Sequence, residues 1–193
     1  MCIRDSYNRV VEMAEGAAIL ANVDYKVSLI SGIYEVLVNR TGGAVMQKNL
    51  EILGPINYTE DEITFAKKIQ EVTFKPELGM DSQIRPLKDT RENPGGGSTD
   101  VGDVSWNVAN INLGVATAPL GTPWHSWAVV ACGGMSIGHK GMLHASKAMA
   151  MTMSDLFQDP ELVMSVKKEY LKRKGQEVYE AMVPDGPPPV NDN

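Results

Sequence analysis

Gly95-Gly96-Gly97-Ser98-Thr99-Asp100-Val101-Gly102-Asp103-Val104-Ser105-Trp106 is the stretch around which the chain is organised, continued by Ile111 to Pro119 and by Gly121-Thr122-Pro123-Trp124-His125-Ser126-Trp127. Three successive glycines let the backbone turn tightly and leave amide groups uncovered. Ser98, Thr99, Asp100 and Asp103 follow at once, dense in oxygen ligands and hydrogen-bonding groups. Ile111, Leu113, Val115 and Ala116 make an apolar run short enough for a buried strand. His125 then stands between Pro123 and two tryptophans, at an expected strand-to-loop junction. This order gathers polar groups at one end of a sheet. Gly-Ser-Asp clusters are also ordinary loop composition, so site and loop both remain open on the residues alone.

Downstream, Trp127 to Ala131 predicts a strand and Gly133-Gly134 a turn. Ser136 is the expected cap of a helix reaching Phe157. Its Met142, Leu143, Ala145, Ala148, Met149, Met151, Thr152 and Met153 leave little polar face, which predicts burial on most sides. Asp159-Pro160 starts another helix, aspartate at the cap and proline in the first turn. Val163, Val166, Tyr170 and Leu171 mark its inner face, and residues 184–193 read as a loose tail.

Upstream, Val10, Val11, Met13, Ala14, Ala17, Ala18 and Leu20 give a helical stripe over residues 7–22. Tyr25, Val27 and Leu29 alternate with polar residues as a half-buried strand does, and residues 33–38 continue it after Gly32. Thr41 to Leu53 predicts a helix closed by Gly54-Pro55. Thr59-Glu60-Asp61-Glu62 is a capping box opening a helix to Thr73, with Ile63, Ala66, Ile69 and Val72 inward. Prolines and charges make residues 75–94 irregular. Residues 1–6 read as a non-native leader, the translation of a transposon end (ATG TGT ATA AGA GAC AG), with the reading frame truncated upstream.

The 193 residues suffice for one good core and part of another. A net charge of −6, with no basic stripe interleaved with aromatics, argues against nucleic acid as a partner. No apolar run approaches the ~20 residues of a membrane span. Cys2 and Cys132 offer no disulfide framework, which fits a reducing, cytoplasmic compartment.

The runs GGGSTDVGDVSWNV, LGVATAPLGTPWHSWAVVACGGMSIGHKGMLHASKAMA and RVVEMAEGAAILANVDYKVSLISGIYEVLVN together resemble the C-terminal part of a member of the aminoacylase, hippurate hydrolase and carboxypeptidase family of two-metal amidohydrolases. GDVSW, GTPWHSW and GMSIGHKGM occurring in order give the resemblance its specificity, and it covers most of residues 7–160. It implies an α/β fold: residues 7–38 would end an inserted α+β lid (dimerisation) domain, and residues 39–183 would belong to a mixed-sheet catalytic domain. It implies hydrolysis of the amide of an N-acyl or N-aroyl amino acid such as p-aminobenzoyl-glutamate, two zinc or manganese ions per site, and a homodimer or paired-subunit assembly.

Within that resemblance His125 stands where the family places its last metal-binding histidine, and neutral imidazole is a good zinc or manganese ligand. Ser98, Thr99 and Asp100 correspond to a turn beside the metals, with Asp103 shaping the pocket. Some relatives follow the aspartate with an arginine that grips the substrate carboxylate; here Val101-Gly102-Asp103 stands instead. Asp100 either orients His125 or caps the following helix. His139 and His144, five apart and about 140° round a helix, cannot chelate one ion together; His139 at the helix start is the one that can face the site. Cys132 has no paired base in view. No His-x-Asp, Cys-x-His or Glu-Glu ligand pair precedes residue 95 outside the helical turn Glu60-Asp61-Glu62. The chain is therefore expected to hold one wall of a site, no catalytic residue, and no activity by itself. A non-catalytic partner subunit of such a hydrolase is the alternative.

Overall fold

Residues 3–87, 99–183 and 186 are described by the computed structural model. Their regular structure is helical: α1 (Ile3–Ala21), α2 (Arg40–Leu53), α3 (Glu60–Val72), α4 (Val101–Ser105), α5 (Trp127–Gly133), α6 (Ser136–Gln158) and α7 (Pro160–Lys174). The chain divides into two units. The first joins residues 1–37 to 95–108 and 174–193; the second joins residues 38–94 to 109–173. Cys2, the three glycines 95–97 and Ser98 lie outside the described residues.

Unit two is built on the contact of α2 with α6 and of α5 with α6. Its apolar centre is Ala66, Ile69, Met80, Ala128, Cys132 and Ile137, with Tyr58, Ile63, Phe65 and Ala116 packed around it. Two of the caps legible in the sequence are realised. The Thr59 hydroxyl accepts the Glu62 amide while the Glu62 carboxylate accepts the Thr59 amide at 2.7 Å. Asp159 accepts the amides of Glu161 and Leu162, both at 3.0 Å, ahead of Pro160. The start of α2 is held twice: Asn39 Oδ1 accepts the Gly42 amide, and the Glu169 carboxylate of α7 accepts the amides of Arg40 and Thr41.

Several expectations are corrected. Trp127–Ala131 is not a strand but most of α5. Ala128 and Cys132, four apart, both reach zero exposure on one side of the helix, while Trp127 and Val130 face out. A short apolar run carries no period long enough to separate the two states. Ser136 is not the cap of α6; Met135 holds that position, and the Ser136 hydroxyl serves Glu62 instead. Val72, Val163 and Leu171 are exposed, where an inward face was expected. α6 buries one face only.

Residues 25–29, 33–38 and 111–116, expected to be strands, lie in the stretches 23–38 and 109–117, which among the described residues run without helix and make two isolated bridges, Gly32 to Met182 (antiparallel) and Val38 to Asn110 (parallel). A strand is defined by its ladder, and a single bridge leaves the neighbouring amides without one. No helix among the described residues is long and apolar enough to cross a membrane.

Candidate functional site

Residues 102–106, at the end of the acidic segment, form a clasp inside unit one. Gly102 is buried with its α-carbon against the Tyr34 carbonyl, where any Cβ would overlap the oxygen. Three residues on, fully buried Ser105 donates its hydroxyl to the Gly102 carbonyl at 2.6 Å and accepts the Leu37 amide at 2.8 Å. Trp106, 6% exposed, donates its indole N–H to the Glu35 carbonyl at 2.9 Å. Its ring lies 5.3 Å from that of Tyr34, which in turn lies 5.1 Å from Tyr179. The Tyr179 hydroxyl donates to Asp103 Oδ1 at 3.1 Å. Burial and that carboxylate together push the Tyr179 phenol up from its ordinary value.

Asp103 is therefore engaged by a tyrosine, and Asp100, exposed ahead of α4, makes no side-chain cap bond to it. The Thr99 hydroxyl accepts the Val101 amide at 3.3 Å. Ser98 lies outside the described residues.

His125 belongs to unit two and sits in a turn directly before α5. It is exposed, and its backbone is left-handed, φ 59. A non-glycine residue pays about 1–2 kcal/mol for that conformation, with histidine among the more tolerant types. Ser126 donates its hydroxyl to the Pro123 carbonyl at 2.5 Å, closing the turn that holds the histidine out. Trp124 and Trp127, 69% and 60% exposed, flank it. His139 is exposed near the start of α6, and His144 is half-buried.

Among the described residues no group of three or more His, Cys, Asp or Glu side chains is placed to hold a metal ion. One exposed imidazole fits a single ligand position and does not make a metal site. Cys132 is a buried thiol raised by desolvation, the opposite of what a nucleophile needs.

A second polar cluster went unread in the sequence. Lys140 of α6 donates to Glu62 at 2.6 Å and to the Asn57 carbonyl at 2.8 Å, and its ammonium lies 5.9 Å from the centre of the Tyr58 ring. The hydrogen bond from Lys140, helped by the Ser136 hydroxyl and the Thr59 amide against the effect of burial, holds the Glu62 carboxyl at about 2. Burial and the Glu62 charge push the Tyr58 phenol up. The capping box located Glu62; Lys140, 78 positions away, left no local signal. This cluster joins α3 to α6 and is saturated by its own bonds.

Known proteins supply the remaining information. The chain is similar to a subunit of the p-aminobenzoyl-glutamate hydrolase of Escherichia coli (strain K12), with 29% identity in an alignment of 207 positions. The alignment covers 94% of the chain and 43% of that relative, so the chain spans less than half the length of the curated protein it matches. No family model matches the chain. No solved structure matches it either.

Proposed function

We propose that this chain is part of a hydrolase that cleaves the amide bond of an N-acyl or N-aroyl amino acid, with p-aminobenzoyl-glutamate as the first substrate to test. The observation that carries this reading is the similarity along 94% of the chain to a subunit of p-aminobenzoyl-glutamate hydrolase. The residue-level support is His125, exposed on a closed turn and held in a left-handed backbone that its packing does not explain.

In this reading the hydrolase is a cytoplasmic, metal-dependent amidohydrolase, and zinc or manganese ions supply the Lewis acid and the activated water. The described residues offer one imidazole toward them, so the other ligands and the general base come from elsewhere in the intact protein. No step of the reaction is assigned to this chain's own groups. Residues 7–38 end a lid domain, and residues 39–183 complete a mixed α/β sheet whose ladders need strands outside this chain.

A second reading, a non-catalytic subunit of the same hydrolase, is favoured by the relative's name as a subunit. One experiment separates them. The full-length protein is purified alone and assayed on p-aminobenzoyl-glutamate, with its metal content measured. Activity with stoichiometric zinc or manganese, reduced by orders of magnitude in His125→Ala at unchanged circular dichroism, supports the enzyme. A metal-free, inactive protein that activates only with a second subunit supports the alternative. Full activity in His125→Ala would remove this histidine from the metal site.

A further inference from the structure

We infer that Gln70 is a positioning residue for the turn that carries His125, acting through the main chain of two loops. Its consequence for catalysis rests on the reading of His125 as a site residue; the positioning itself rests on the hydrogen bonds of unit two.

Gln70 lies on the inner side of α3, next to buried Ile69 and one turn after buried Ala66, and has no exposure. A side-chain amide is stable out of water only where its polar atoms are paired. Here every bond goes to main chain. Nε2 donates to the Leu120 carbonyl at 2.9 Å and to the Gly79 carbonyl at 3.2 Å, while Oε1 accepts the Gly79 amide at 2.8 Å. The Gly79 carbonyl also accepts the Leu120 amide at 3.1 Å. One side chain thus joins α3 to two loops, each turning on a left-handed glycine, Gly79 at φ 75 and Gly121 at φ 74. A methionine would fill the same space but leave the Gly79 amide and the Leu120 carbonyl without this partner. Core filling therefore does not account for a glutamine here, and pairing the loops does.

His125 follows Leu120 by five positions. Between them Thr122, 8% exposed, binds the Pro119 carbonyl twice, through its amide at 3.1 Å and its hydroxyl at 2.7 Å. Placement fixed at Leu120 is thereby carried to Thr122. Downstream, the Ser126 carbonyl accepts the Val129 amide and Ala128 is fully buried in the core. His125 stands on a span with two anchors, the Gln70 junction and Ala128. Without the first, the turn can swing about the second. A shift of about 1 Å at a reacting group can cost roughly 100-fold in rate.

The test compares the full-length polypeptide with its Gln70→Met variant. In the unsubstituted protein the Gly79 and Leu120 amides should exchange with deuterium at least about 100-fold slower than in an unfolded chain. Unprotected amides there would overturn the proposal, whether or not the variant folds. In Gln70→Met these two amides and that of Thr122 should exchange at least tenfold faster relative to amides in the middle of α6. The Cε1–H resonance of His125, assigned by its loss in His125→Ala, should shift while those of His139 and His144 stay in place. Uniform acceleration along the chain, or an unmoved His125 resonance, would make the glutamine a general stabiliser and sink the idea. On p-aminobenzoyl-glutamate the variant should lose about 100-fold in kcat with little change in KM. Full activity in Gln70→Met where His125→Ala is inactive would also count against it. Full activity in both variants, with the exchange and resonance changes present, would leave the positioning standing and remove His125 from the hydrolase reading instead.

Discussion

Gly102–Trp106 and Pro123–Trp127 read alike in the sequence, each a short segment of turn-forming, polar and tryptophan residues, and the fold treats them in opposite ways. In the first, the polar groups are turned inward and spent on the backbone of residues 34–37 and on Tyr179. In the second, Trp124, His125 and Trp127 are left in solvent, and only the Ser126 hydroxyl closes the turn. A dense run of polar residues thus says little about whether a ligand can reach them. What separates the two is whether a partner segment is present to saturate them. The saturated segment is a structural joint, and the other leaves its imidazole and indoles exposed.

Gly102→Ala should break the first segment outright. The new methyl group meets a backbone carbonyl that has no freedom to move, so a loss of about 3 kcal/mol or more is expected in unit one. The fluorescence of Trp106, followed in a Trp124→Phe/Trp127→Phe background, measures it. A variant with an unshifted unfolding midpoint would show that the clasp is not closed in solution.

Acid should act on unit two. The Glu62 carboxyl is held at about 2 chiefly by Lys140. Glu169 also sits at about 2: burial opposes ionisation there, and bonds from Thr41, Arg40 and Arg173 outweigh it. Both are lowered from 4.5, so their stabilisation is complete above pH 4.5 and is lost as pH falls toward 2. The melting temperature should drop by roughly 5–10 °C across that window. Glu62→Gln should remove part of the dependence, and an identical pH profile in the variant would contradict the assignment.

The smallest effect belongs to the second segment. His125→Gly relieves a left-handed backbone without opening a packed contact, and the gain is set against the larger entropy of an unfolded glycine. A change within about 1 kcal/mol, on the stabilising side, is expected by chemical denaturation. A loss above about 2 kcal/mol would mean that His125 is a structural residue after all.

The sequence by itself determined the starts of α3 and α7, because those caps are local chemistry: Thr59 with Glu62 and Asp159 before Pro160 follow from side chains within three positions. It also marked His125 and the glycine-acid run as unusual. Tertiary structure decided the rest. Whether Trp127–Ala131 became strand or helix depended on Ala128 and Cys132 finding the Ile137 core, and the inward turn of Asp103 depended on Tyr179, 76 positions away. Lys140 reached Glu62 across a similar span. Contacts of that separation have no period in the chain; they exist only once the elements are packed.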